Sequence, residues 1–291
     1  MATSAKKINL GMTPASTLVE AAKAASKEWG KTELYSTGDA ILDEYLGNST
    51  KGGYGRKSAY EIITIFGDTG MNKSTFATSI ILNPASKGVP IAYFALEDDP
   101  KDVVTRIMRQ AHSDEELDKI LDSIMFMPEN DGYTLDMMAE AIENVFKVVD
   151  IVVIDPLQFI FEASVTEKGE TEFNRQRLFM RKMNNVMKHT NKTLIIVSHT
   201  GKGGGRDSRI GVDRIIGSSA VAQVSTKVIE INRNEDGVHG IRLWKSRFTP
   251  YRYSGVQILL EDMRVRTVYT KEDLPQARTI WSGGAILPME K

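Results

Sequence analysis

The sequence predicts an α/β fold: a mostly parallel central sheet with helices on both faces and an antiparallel β edge. Three observations predict it: four continuous apolar runs, helical patterns between them, and a change after residue 218 to shorter β segments. Strands buried on both faces read as unbroken apolar runs, and parallel neighbours need a crossover that is usually a helix. The runs occupy residues 62–66, 91–96, 151–154 and 193–197. The shorter segments, at residues 227–231, 241–245 and 256–260, suggest a meander at one edge of the sheet.

Ahead of the core, residues 1–36 form an arm rich in Ala, Ser and Lys, in which Leu18, Ala22, Ala25 and Trp29 recur at helical spacing. This is the pattern of an amphipathic linker helix, packed on its own domain or docked on a neighbouring subunit. A glycine-rich, basic stretch at residues 51–57 separates this region from the core. The expected domain limits are 37–275 for the core and 276–291 for a tail.

Composition narrows the chemistry. With 291 residues and 41% hydrophobic content the chain can fill a sizeable core. It has no cysteine, which excludes disulfides and thiolate metal sites, and its four histidines lack metal-ligand spacing. Any metal is therefore held by oxygen ligands. No apolar run is long enough for a signal peptide or a membrane span, so a cytoplasmic location without membrane contact is expected. A net charge of −1 gives no global attraction to nucleic acid, and any such contact must come from a local basic surface.

Directly after the first apolar run comes Gly67-Asp68-Thr69-Gly70-Met71-Asn72-Lys73-Ser74-Thr75, followed by a helical stretch. Strand, loop and helix in that order are the context a P-loop (Walker A) requires. Small residues let backbone N–H groups close around phosphate oxygens, the helix N-terminus adds partial positive charge, Lys73 reaches the β and γ phosphates, and Ser74 ligates Mg²⁺. The implied ligand is ATP with Mg²⁺. Asn72 stands where the motif has glycine, and Asn is among the residues that enter left-handed backbone most readily. A degenerate loop with weak hydrolysis, or a coincidental glycine-rich turn, is the competing reading.

Three further groups fall at the ends of apolar runs. Asp155 closes the run at 151–154, where an acid can hold the Mg²⁺ water shell or merely cap a helix. Glu97-Asp98-Asp99 follows the run at 91–96, with Glu97 the expected general base and Asp98 and Asp99 suited to capping a helix that begins near Pro100. His199 follows the run at 193–197 and is placed to sense the γ phosphate, although a lone histidine is more often structural. The loop after it holds Lys202, Arg206, Arg209 and Arg214 against two acidic residues. Glycine-rich and locally basic, it suits backbone contact to single-stranded nucleic acid, or is simply a solvated loop.

This order of parts resembles the RecA-like hexameric replicative helicases, the phage primase-helicase and DnaB-type group. The likeness spans roughly residues 36–268. It is densest in Ile195-Ile196-Val197-Ser198-His199, Gly217-Ser218-Ser219-Ala220 with Gln223 and Ser225, Ile231-Asn232-Arg233-Asn234 and Trp244-Lys245-Ser246-Arg247-Phe248-Thr249. The resemblance implies an arginine finger, Arg247, given to the ATP of the adjacent subunit, with Lys245 its companion and Arg233 close to the nucleotide. It also implies a homo-oligomeric ring, expected as a hexamer, 5′ to 3′ movement on single-stranded DNA, and a separate primase or loader as partner. No primase or zinc-binding region accompanies the core, which suits a phage or mobile-element protein.

The leading expectation is thus an ATP-dependent DNA helicase acting in replication. A RecA-like recombinase or strand-annealing ATPase shares these parts but assembles as an open filament. An ATP-binding structural or signalling module would show near-background hydrolysis in the intact chain and in Glu97→Gln and Lys73→Ala alike.

Overall fold

Successive side chains of a strand point to opposite faces of its sheet, so a continuous apolar run feeds two cores at once. The computed structural model describes residues 23, 33–47, 53–56, 59–127, 134–163, 171–200, 215, 218–233, 239–247, 254–261, 264–267, 279–282 and 285–288. It divides the chain into Met1–Thr32 and Glu33–Lys291. Of the first unit only Lys23, which is helical, is described, so the linker helix expected around Leu18, Ala22, Ala25 and Trp29 otherwise lies outside the described residues.

The second unit begins with β1 (Leu34–Tyr35), α1 (Ala40–Gly47) and β2 (Tyr54–Arg56). β1 pairs antiparallel with β2, which puts Leu34 and Tyr35 with the core rather than with the arm expected to run to residue 36. Tyr54 anchors the pair: its buried hydroxyl donates to the Ile80 carbonyl at 2.6 Å. The stretch read as a separator therefore contains a strand, too short to show any periodicity.

Then follow β3 (Glu61–Gly67), α2 (Lys73–Ser86), β4 (Ile91–Ala95), α3 (Pro100–Gln110), α4 (Asp114–Ser123), β5 (Ile124–Phe126), α5 (Leu135–Val145), β6 (Ile151–Asp155), α6 (Leu157–Ala163), α7 (Glu172–Lys188), β7 (Thr193–His199) and α8 (Ser218–Val224). The chain continues with β8 (Lys227–Arg233), β9 (His239–Ser246), β10 (Ser254–Glu261), β11 (Arg264–Thr267), β12 (Thr279–Ser282) and β13 (Ala285–Pro288). All four apolar runs are strands, and they lie in one sheet ordered β13-β12-β10-β9-β8-β3-β7-β6-β4-β5, with β11 on β10.

From β5 to β8 every pairing is parallel. From β8 outward every pairing is antiparallel. β8 thus belongs to both parts: it opens the expected meander, but it is also the parallel neighbour of β3. Its first residue hides this role from sequence reading, because Lys227 is 2% exposed. Its ammonium lies 3.3 Å from the Glu61 carboxylate and donates to the Gly53 carbonyl at 3.0 Å. A buried charge persists when it is paired and hydrogen-bonded in this way. The β12–β13 hairpin falls in the segment expected to be only a tail.

Ile63, Ile65, Tyr93, Val153, Ile195 and Val197 face a core completed by Phe76 and Ile80 of α2, Val103 and Ile107 of α3 and Ile120 of α4. Their chain neighbours Ile62, Phe66, Phe94, Val152, Ile154, Leu194 and Ile196 face a second core with α5, α6, α7 and α8. Burying each such Ile, Val or Phe contributes about 1.5–3 kcal/mol. Among the described residues no helix is long and apolar enough to cross a membrane.

Parallel register is what assembles the site. Gly67 pairs with His199, and Ala95 with Asp155. The C-terminal ends of β3, β7, β6 and β4 therefore share one edge, the side of an open α/β sheet where ligands bind.

Candidate functional site

At the end of β3 the chain must pass close to β8. A Cβ on Gly67 would lie 2.3 Å from the Ile231 carbonyl oxygen, a backbone atom that cannot swing aside. Gly67→Ala is accordingly expected to cost about 1–3 kcal/mol of stability, measured by denaturant melts. Beyond it, Met71 N–H donates to the Asp68 carbonyl at 3.2 Å and closes a turn, with Gly70 at φ 81°. Asn72, at φ 59° and ψ 34°, adopts the left-handed backbone expected of it and makes no side-chain cap on α2. The first amides of α2 are thus left for a ligand, and the helix N-terminus favours an anion there.

Lys73 is 5% exposed and folds its ammonium back to the Asp68 carbonyl at 3.0 Å. Burial lowers its pKa, and the carboxylates of Asp155, Glu97 and Asp68 oppose that shift. Ser74 donates its hydroxyl to Asp155 Oδ1 at 3.1 Å, while the Tyr93 hydroxyl donates to Oδ2 at 2.6 Å. Asp155 therefore spends its oxygens on Ser74 and Tyr93 and caps no helix. A serine hydroxyl beside a carboxylate is the hard-oxygen donor set that Mg²⁺ takes, with waters and substrate phosphates filling its other positions. No cluster of three or more His, Asp or Glu side chains able to hold a metal occurs among the described residues.

Burial raises the Asp155 pKa, against the hydrogen bonds from Tyr93 and Ser74 and the nearby Arg106. A carboxyl whose pKa is higher folded than unfolded binds more protons in the native state. Stability then falls as pH climbs from the unfolded pKa through the folded one, and the cost is fully present at neutral pH. Asp155→Asn keeps one acceptor and removes that charge. It is expected to melt a few degrees higher by calorimetry at pH 7, while its requirement for Mg²⁺ in hydrolysis rises about 10–100-fold.

The acidic run after β4 divides its work. Asp99 caps α3, accepting from Lys101 N–H at 2.8 Å, with Pro100 at the first helical position. Asp98 accepts from the Arg106 guanidinium at 2.6 Å. Glu97 is left with a side chain 49% exposed and its Oε2 3.4 Å from His199 Nε2. The end of β7 is braced by Gln158 of α6, which donates to Ser198 Oγ at 2.8 Å and accepts from the His199 N–H at 3.2 Å. One residue on, the Thr200 hydroxyl donates to the Asp68 carboxylate, and Thr200 bridges to Ile215. Phosphate loop, Glu97–His199 pair and Thr200 thereby form one connected edge. Lys202, Arg206, Arg209 and Arg214 lie outside the described residues.

Lys245 and Arg247 are elsewhere. Register pairs Lys227 with both Ile63 and Ser246, so they sit about 13 Å back along the strands from Gly67 at about 3.3 Å per residue. Lys245 donates to the Ala222 and Gln223 carbonyls at 2.6 and 3.1 Å, and Arg247 to Gln223 at 2.9 Å, capping the C-terminus of α8. Burial, with Arg247 alongside, lowers the Lys245 pKa to about 8. Arg233 lies at the opposite end of β8, past Gly67, paired with His239. Tyr93, Gln158, Thr200 and Arg106 were not identified from sequence. Tyr93 alone carried a signal, since a hydroxyl inside a buried apolar strand needs a partner.

A family model described as AAA domain matches residues 54–205. A solved ATPase domain superposes with a TM-score of 0.67 at 14% identity, covering 87% of this chain and 99% of that one. A DnaB-like replicative helicase, solved for its interactions with primase, gives 0.64 at 15% identity over 88% of this chain and 67% of that one. A KaiC-like protein of the hyperthermophilic archaeon Pyrococcus horikoshii gives 0.62 at 18% identity over 82% and 100%. Among curated proteins none matches the sequence. The shared feature is the fold: a RecA-like core whose P-loop follows a central strand of a parallel sheet.

Proposed function

The chain belongs to the AAA domain family, and from that premise we propose that it is an ATP-driven motor that moves along single-stranded DNA as a ring and unwinds duplex DNA in replication. The observation that carries the reading is the shared strand edge, where the ends of β3, β6, β4 and β7 bring Lys73, Ser74 and Asp155 to the side of the sheet that carries the Glu97–His199 pair. Likeness in fold to a DnaB-like replicative helicase supports the same direction.

In this reading the loop amides and Lys73 bind the β and γ phosphates of ATP. Ser74 and Asp155 would hold Mg²⁺, which when bound would supply neutralisation of the charge on those phosphates. Glu97 takes the proton of the attacking water as it adds in line to the γ phosphorus, and ADP leaves. His199, hydrogen-bonded through its backbone to Gln158 and facing Glu97, senses the loss of the γ phosphate. Its neighbour Thr200 begins the segment in which Lys202, Arg206, Arg209 and Arg214 would hold the strand by its phosphates. Arg247 completes the site of the next protomer, and a primase or loader works with the ring in the cytoplasm.

The test is strand separation of a forked DNA duplex by the purified chain with MgATP. DNA-stimulated hydrolysis with displacement of one strand is expected. Stimulated hydrolysis without strand separation, on helical filaments rather than rings in negative-stain images, would replace the helicase with a recombinase.

A further inference from the structure

Asn72 holds a left-handed turn that glycine would adopt without strain. Its side chain makes no cap on α2 and places Nδ2 3.2 Å from Nε2 of His239, the first residue of β9. β8 brings His239 there, pairing Arg233 with His239 and passing Ile231 along Gly67. The phosphate loop is thus gripped by the same hairpin at both ends, at Gly67 by backbone contact and at Asn72 by a side chain.

We infer that His239 is a positioning residue for nucleotide binding: it holds the Asn72 amide, and through it the turn that presents Lys73 and Ser74 to the phosphates. The inference rests on reading residues 67–75 as the triphosphate site. Burial and the neighbouring Arg233 lower the His239 pKa, which keeps the ring neutral at pH 7 and lets an unprotonated Nε2 accept from the Asn72 N–H. In a chain with glycine at position 72 the turn has no side chain to hold and no strain to offset, so His239 has nothing to do there. A residue that served only general stability would matter equally in both backgrounds.

Titration of the full chain with the fluorescent analogue mant-ATP and Mg²⁺ tests this. His239→Ala is expected to weaken binding about fivefold, the scale of one hydrogen bond, with the change appearing in KM for ATP and kcat held within about twofold. His239→Gln, whose carbonyl can accept from the same amide, restores most of the affinity. Asn72→Ala, which leaves His239 in place but strains the left-handed turn, shows at least that loss, and adding His239→Ala to it gives no further loss. In Asn72→Gly, whatever its own affinity, His239→Ala leaves binding unmoved. Equal binding by His239→Ala and the unaltered chain overturns the inference, as does an undiminished His239→Ala effect in the Asn72→Gly background. An unaltered chain that takes up no analogue overturns the triphosphate reading, and this inference with it.

Discussion

A Glu97→Gln chain is expected to retain MgATP and to hydrolyse it about 10²–10⁴-fold more slowly. Of the three acids after β4, Asp99 is committed to the α3 N-cap and Asp98 to Arg106. Glu97 caps no helix and faces His199 at 3.4 Å, with a side chain 49% exposed at the strand edge. Glutamine preserves its size and its polar contact to the ring but accepts no proton from water, so loss appears in the chemical step and spares the ground state. Single-turnover hydrolysis beside mant-nucleotide binding measures both quantities. Unchanged turnover would remove Glu97 from the role of base.

The parts of this site legible in sequence are those whose signal is local. A short β-branched run such as residues 62–66, bounded by a Gly-rich turn, reads as a strand covered on both faces, and that turn ending in Lys73-Ser74 before a helix announces a phosphate cradle. Asn72 in left-handed backbone was equally legible, because few other side chains tolerate it. What stayed hidden depends on register. Gly67 opposite His199 and Ala95 opposite Asp155 are facts of strand pairing, and no run of residues encodes which strand lies beside which. The Tyr93–Asp155, Gln158–Ser198 and Thr200–Asp68 hydrogen bonds follow from that pairing and could not precede it. The parallel side of β8 is hidden for a related reason: the meander expected from residue 227 onward is there, but its pairing with β3 depends on Lys227 finding its buried partner Glu61 far away in sequence.

Arg247→Ala is expected to lower hydrolysis by about 10³-fold or more in the assembled protein while each protomer still binds ATP. Within one chain the arginine cannot serve the adjacent P-loop, because it lies at the far end of the strands with its guanidinium on the Gln223 carbonyl. A helix C-terminus carries partial negative charge, so α8 is a resting place for Lys245 and Arg247 that a stronger anion can outbid. The γ phosphate of a neighbouring protomer is such an anion, and the bidentate geometry of guanidinium suits it better than a single carbonyl does. Complementation then distinguishes a finger given in trans from a local structural arginine. Lys73→Ala and Arg247→Ala chains, each inactive alone, are expected to regain part of the hydrolysis when mixed, since an Arg247→Ala protomer supplies an intact P-loop and its Lys73→Ala neighbour an intact finger. If the mixture stays as inactive as its components although mixed rings form, Arg247 is not given in trans and the shared site must be given up.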